Sequence, residues 1–178
     1  MKSFAVYVIV FLLAIFAIIL FLSRVNGPPE KSIKMNISSP EFKNNESIPA
    51  KFTCQGENIN PRLEIGEVPP DAKSLAIIMD DPDATIGNFT HWLIWNIDLK
   101  TPAINENSAP GTQGNNGRGN PGYTGPCPPS GTHRYFFKLY ALDSMLDLAT
   151  GADKAQLESE IAKHELARAE FIGTYKKF

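Results

Sequence analysis

The chain has 178 residues, of which 43% are hydrophobic and 20% are charged, and its formal net charge is -2. This composition is typical of a globular protein and excludes disordered, collagen-like and coiled-coil chains. The near balance of 17 basic and 19 acidic residues provides no basic surface for wrapping nucleic acid. We therefore expect one globular domain without a nucleic-acid partner.

The first feature along the chain is an uninterrupted apolar run at residues 4–22. A helix of this length would be about 28 Å long, close to the ~30 Å hydrocarbon core of a bilayer. The sequence therefore predicts a transmembrane anchor or signal segment over residues 1–25, followed by a linker at residues 26–34 and a domain at residues 35–178. We expect a single-pass membrane protein whose domain is extracytoplasmic.

Cleavage and orientation of this segment stay open. The run is longer than the roughly 7–15 apolar residues of a signal peptide, which favours an uncleaved anchor, and cleavage after Gly27 is the alternative. Arg24, Lys31 and Lys34 follow the run and favour a cytoplasmic C-terminal side by the positive-inside rule. The expectation that one N-terminal span exports a small domain favours the opposite orientation.

The segment after the linker has the pattern of β-structure. Short apolar runs that are rich in β-branched and aromatic residues and bounded by turn residues predict buried strands. These runs are Lys73–Met79, Thr90–Ile97 and Arg134–Leu142, and weaker candidates are Phe52–Cys54 and Leu63–Ile65.

The C-terminal segment has a helical period. Asp153 is followed three residues later by Gln156, which is a variant of the capping box. Side chains then recur at spacings of four and three residues, which predicts one helix up to the terminal lysines. The stripe consists of Leu157, Ile161, His164, Arg168, Phe171 and Tyr175. The predicted fold is mainly β with a C-terminal helix.

A Gly/Pro-rich segment at residues 110–132 contains seven glycines and five prolines in 23 residues. A connection of this length inside a compact domain is usually either functional or disordered. Because it leads directly into a strongly predicted strand, we expect an ordered binding loop, and a disordered insertion is the alternative.

Titratable side chains are concentrated at two junctions between loops and strands. Asp81 and Asp83 follow one predicted strand and His91 begins the next, whereas His133 and Tyr135 follow the Gly/Pro-rich loop. If the strands are neighbours, these groups and the loop N–H groups would line one pocket. A carboxylate beside an imidazole favours the charged ring, so we expect raised histidine pKa values and a site for an anion.

Other readings of the same residues stay open. Two histidines with an aspartate could hold a metal, although no metal-ligand spacing is present. Ser130 or Cys127 could act as a nucleophile beside His133, or the aspartates could only cap turns. Cys54 and Cys127 could form a disulfide if the domain is exported.

Three motifs in order resemble the phosphatidylethanolamine-binding protein family, in particular its prokaryotic Raf-kinase-inhibitor-like branch. They are Asp81-Pro82-Asp83-Ala84, Thr90-His91-Trp92 and the segment from Gly125-Pro126-Cys127-Pro128-Pro129 to His133-Arg134-Tyr135. The resemblance extends from about residue 35 to the C-terminus. Thr85 departs from it, because the family commonly has a second proline there.

The resemblance implies a two-sheet β-fold with a small cavity at one end for phosphate or a phosphorylethanolamine-like head group. The implied ligand-binding residues are Asp81, Asp83, His91, Cys127, Pro128, His133 and Tyr135, of which Cys127 and Pro128 contribute backbone. No cofactor is implied, and kinase inhibition is not transferred, because it depends on surfaces that the motifs do not include.

The leading hypothesis is a membrane-anchored, non-catalytic binding module for a small phosphate-bearing or anionic ligand. Family analogy alone supports the alternative of an inhibitor or regulator of an extracytoplasmic hydrolase. A hydrolase that uses a metal or an acid–base pair is a further alternative. The sequence identifies no protein partner.

Overall fold

The computed structural model describes residues 34–85 and 87–177. These residues form a mainly β structure with one α-helix near the C-terminus. In chain order, the elements are β1 (Asn36–Ser38), the 3-10 helix η1 (Ala50–Phe52), β2 (Leu63–Gly66), β3 (Ser74–Asp81), β4 (Phe89–Ile97), β5 (Ala103–Ile104), β6 (Thr112–Gln113), β7 (Thr132–Leu142), α1 (Lys154–His164) and β8 (Glu165–Lys176).

The strands form two antiparallel sheets. The smaller sheet has the order β1-β2-β5, and the larger sheet has the order β6-β4-β3-β7-β8. All eight residues of β3 are buried, since this strand is at the centre of the larger sheet and is covered on both faces. Double burial explains why β3 and β4 have nearly continuous apolar sequences instead of alternating ones.

The larger sheet separates two hydrophobic cores. Leu75, Ile77 and Met79 of β3 belong to the core that includes residues of the smaller sheet. Ala76 and Ile78 belong to the other core, together with side chains of α1. Successive side chains of a strand point to opposite faces, so the face on which a polar residue of β3 lies decides which environment it enters.

The strand predictions hold for four of the five candidates. Strands β3, β4 and β7 include the three main predicted runs except for Lys73, and β2 includes Leu63–Ile65. The prediction for Phe52–Cys54 is wrong, because Phe52 ends η1 and Cys54 lies in the turn that follows.

The helix prediction is correct only as far as His164. Asp153 forms a complete capping box with Gln156, and Leu157 and Ile161 are buried. Beyond His164 the chain is extended and pairs with β7 as strand β8. Phe171 and Tyr175 fit the helical period although they lie in a strand, because residues four positions apart share a face in a strand as well as in a helix.

The described residues contain no helix that is long and apolar enough to cross a membrane. This finding corrects the expected single-pass membrane fold and membrane location. The fold is a mainly β domain with one helix near the C-terminus. The apolar run at residues 4–22 lies outside the described residues, as does the linker before Lys34.

Candidate functional site

Strands β3 and β7 bring two predicted site residues into contact. Asp80 is paired with Phe136 in the ladder between these strands, which places Asp81 beside Tyr135 and close to His133. The His133 Nδ1 lies 2.8 Å from the Asp81 Oδ2, and both side chains are buried. Alternation along the two strands therefore places Asp81, His133 and Tyr135 on the same face of the larger sheet.

A β-bulge turns His91 towards the same face. Met79 is paired with Trp92 and Asp80 with Thr90, so His91 is an extra residue between two ladder pairs. A bulge of this kind bends its strand and changes the direction of a side chain. The His91 ring lies edge-on to the Tyr135 ring, with 5.1 Å between the ring centroids. Regular pairing would have directed His91 to the opposite face.

The Gly/Pro-rich loop is ordered by contacts with β4 and with the segment around Cys54. The Thr124 N–H donates to the His91 carbonyl at 2.9 Å, and the Cys54 N–H donates to the Pro126 carbonyl at 3.1 Å. Cys54 and Cys127 form a disulfide with 5.4 Å between their Cα atoms. These contacts fix the loop as one wall of the site, in agreement with the expected ordered loop.

The strand ends and the loop enclose a cavity of about 180 Å³. This volume is below the ~300–1,000 Å³ typical of drug-sized ligands and suits a small ion or head group. Five predicted residues line it, namely Asp81, His91, Cys127, Pro128 and His133. Asp83 and Tyr135, which were also predicted, are not among the lining residues.

Asp81 binds one ring nitrogen of His133. One carboxylate oxygen of Asp81 is bound to the His133 Nδ1, and the other accepts the Asp83 N–H at 2.9 Å. Because Nδ1 is committed to Asp81, Nε2 is the His133 nitrogen left for a ligand. Asp81 therefore orients the His133 imidazole.

Tyr135 supports the two histidines from the core. Its side chain is fully buried, and its ring lies edge-on to the His91 ring. Burial and the nearby Asp81 carboxylate raise its pKa, so the phenol keeps its proton.

His91 has a different environment from the one predicted. Its Nδ1 lies 2.6 Å from the carbonyl oxygen of Thr124, which can only accept a hydrogen bond. Burial lowers the His91 pKa and outweighs the opposing effects of this hydrogen bond and of the Asp81 charge. The expected rise in pKa is therefore wrong for His91, because sequence alone does not show how far the ring is desolvated.

The lowered pKa predicts a pH-dependent contribution of His91 to stability. An unfolded chain binds a proton at this position as the pH falls through about 6.5, whereas the folded chain resists protonation. Stability is therefore fully present above this pH and is lost on acidification. We expect the midpoint of thermal unfolding to fall more between pH 8 and pH 5.5 in the wild type than in His91→Asn. Equal falls in the two proteins would contradict the prediction.

Asp83 fixes the turn after β3. Its carboxylate receives two hydrogen bonds from the Arg134 guanidinium, at 2.8 and 2.7 Å, and a third at 3.0 Å from the Arg134 backbone N–H. This pairing lowers the Asp83 pKa to about 2. Because Arg134 compensates the Asp83 charge, Asp83 contributes by fixing the backbone at the rim of the cavity.

Sequence reasoning missed Arg118, which lines the cavity. Its Nε donates to the Thr124 hydroxyl at 3.1 Å, so Thr124 positions both Arg118 and His91. No ion pair joins Arg118 to a carboxylate within residues 34–85 and 87–177, in contrast to Arg62, Arg134 and Arg168. Arg118 is the only charged residue in the Gly/Pro-rich loop, which is the signal that could have identified it.

The residues named for other chemistries lie in different settings. The Cys127 sulfur is in the disulfide and so carries no thiol, and Ser130 is exposed in a bend. Residues 34–85 and 87–177 contain no group of three or more His, Cys, Asp or Glu side chains with metal-site geometry. Asp80 lies on the opposite face of β3 and pairs with Lys138 and Lys154.

The matches to known proteins cover the part of the chain that contains the motifs. The sequence profile of the family described as phosphatidylethanolamine-binding protein matches residues 38–176. A UPF0098 protein of Methanothermobacter thermautotrophicus is 46% identical over 150 residues, which are 80% of this chain and 99% of the relative. A UPF0098 protein of Pyrococcus horikoshii is 44% identical over 170 residues, which are 90% of this chain and 85% of the relative.

Solved structures agree with the sequence matches. A phosphatidylethanolamine-binding protein homologue from Chlamydia trachomatis superposes with a TM-score of 0.80 at 38% identity and covers 83% of this chain and 100% of its own. Escherichia coli YbcL, described as a member of the mammalian family of these proteins, has a TM-score of 0.76 at 27% identity. That match covers 82% of this chain and 99% of YbcL.

Proposed function

Because the chain belongs to the phosphatidylethanolamine-binding protein family, we propose that it is a non-catalytic binding protein for a small phosphate-bearing ligand. The ligand occupies the cavity between β3, β4, β7 and the Gly/Pro-rich loop. A phosphorylethanolamine-like group has the appropriate size and charge for this cavity.

The observation that carries the proposal is that two groups line one small cavity. One is the Arg118 guanidinium, which has no carboxylate partner in the described chain, and the other is the His133–Asp81 pair. A guanidinium presents several N–H groups in a plane, which matches phosphate oxygens. The His133 ring adds a polar side chain that Asp81 holds in place. The net charge of the chain is -2, so the attraction for an anion is local to this site.

Titration calorimetry with inorganic phosphate and with phosphorylethanolamine tests the proposal. We expect saturable binding by the wild type and an affinity about 10- to 100-fold weaker in Arg118→Gln, because charge-assisted hydrogen bonds are worth about 1.5–3 kcal/mol. His133→Ala should weaken binding to a similar degree.

Arg168→Gln is the matched control for charge. Arg168 lies on β8 with its side chain 75% exposed, and it does not line the cavity. This variant removes the same charge and should retain the wild-type affinity within about twofold. Absence of binding by the wild type, or equal losses in both arginine variants, would contradict the proposal.

A further inference from the structure

The position of one proton on His91 is fixed by the cavity wall. The Thr124 carbonyl, 2.6 Å from Nδ1, can only accept, so Nδ1 carries the hydrogen. The neutral ring then has a lone pair on Nε2, and this nitrogen makes no hydrogen bond to the described part of the chain. His91 therefore contributes an acceptor to a cavity in which Arg118 contributes donors.

The neighbours of His91 come from three elements. Asp80 and Asp81 on β3 favour a charged ring, and Arg118 on the loop opposes it. On β7, Tyr135 contributes an uncharged ring edge, and His133 is already paired with Asp81. The ring itself is only 4% exposed, and the cost of burying a charge keeps it neutral.

The two kinds of polar group in the cavity define a matching ligand. Arg118 requires negatively charged oxygens, whereas the His91 Nε2 requires a hydrogen to accept. A phosphate monoester has a second pKa near 6, so it can present charged oxygens and one P–OH group together. A phosphate diester at neutral pH has charged oxygens but no P–OH group.

We propose that the site selects phosphate monoesters and inorganic phosphate over phosphate diesters, with the His91 Nε2 accepting a hydrogen bond from the P–OH group. This inference rests on the proposed function and makes its ligand class narrower. Its consequence is that a free phosphorylated metabolite binds more tightly than the head group of an intact phospholipid, which is a diester.

The test compares two ligands that share the same ethanolamine group. Phosphorylethanolamine is a monoester and glycerophosphorylethanolamine is a diester, and both are titrated into the full chain at pH 6, where about half of the monoester already carries a P–OH group. We expect the monoester to bind at least 10-fold more tightly, since one hydrogen bond to a charged partner is worth about 1.5–3 kcal/mol. Equal affinities would overturn the inference but leave the proposed function intact. Failure of both ligands and of inorganic phosphate to bind would overturn both.

Proton uptake provides a second readout. At pH 7.5 the monoester is mostly a dianion in solution, so forming the P–OH group in the complex takes up close to one proton per ligand. Titrations in buffers of different ionisation enthalpy measure this number. Uptake near zero would contradict the proposed hydrogen bond.

His91→Asn separates the role of the ring from the width of the cavity. Asparagine keeps an N–H group for the Thr124 carbonyl but has no acceptor at the position of Nε2. We expect the preference for the monoester to fall below about threefold and proton uptake to disappear, with the variant still folded by circular dichroism. His164→Asn is the matched control, because His164 pairs with Asp143 at the surface. A preference that persists in His91→Asn would assign selectivity to cavity width and overturn the role of His91.

Discussion

Loss of the Cys54–Cys127 disulfide is expected to lower the free energy of unfolding by about 4 kcal/mol. The bridge joins residues 73 positions apart, and closing a loop of this length restricts the unfolded chain by about that amount. The effect is a large fraction of the ~5–15 kcal/mol by which a typical domain is stable. Urea unfolding of the variant with both Cys54→Ser and Cys127→Ser measures it.

Reduction of the wild type provides the control for this prediction. Cys54 is exposed, so a dithiol reductant has access to the bridge. The reduced wild type should unfold at the same urea concentration as the double variant, and the reductant should not change the variant further. A difference of less than about 1 kcal/mol between oxidised and reduced protein would contradict the prediction.

Replacement of Asp80 by asparagine is expected to destabilise the protein by about 3 kcal/mol. The Asp80 carboxylate is 1% exposed and lies 3.0 Å from the Lys138 Nζ and 2.7 Å from the Lys154 Nζ. Removing one partner of a buried ion pair leaves the other charge uncompensated, which here applies to Lys138, since Lys154 keeps Glu158 at 3.6 Å. The two lysine side chains are 29% and 22% exposed, which places the effect at the lower end of the usual range.

Asp143→Asn is the matched control for Asp80→Asn. Asp143 pairs with His164, and its side chain is 51% exposed, so this substitution should cost less than about 1 kcal/mol. Thermal and urea unfolding of the two variants give the comparison. Similar losses of stability in the two variants would show that the ion pairs of Asp80 stabilise the protein no more than a surface ion pair does.

The parts of the site that sequence could predict are those set by chain order and alternation. Asp81 ends a buried strand and His133 begins one, and these positions meet because the two strands are neighbours in the sheet. The motif resemblance supplied that neighbour relation, since no local pattern does. His91 was named from the motifs and lines the cavity, but the bulge that turns it there comes from pairing with β3.

Other features depend on tertiary contacts that sequence does not contain. Arg118 reaches the cavity because Thr124 positions it. Burial lowers the His91 pKa, whereas the neighbouring carboxylates alone would raise it. Strand β8 replaces the second half of the predicted helix because pairing with β7 from Thr132 to Leu142 outweighs a weak local helical tendency.

The pairing of β3 with β7 has a consequence for the order of folding. The Asp81–His133 contact joins residues 52 positions apart, and such non-local contacts form slowly because a long segment must first be restrained. The hairpin of β3 and β4 is local and can already contain His91 and its bulge. The proposed anion site is thus completed only when β7 docks, so an excised fragment that ends before residue 132 would lack His133.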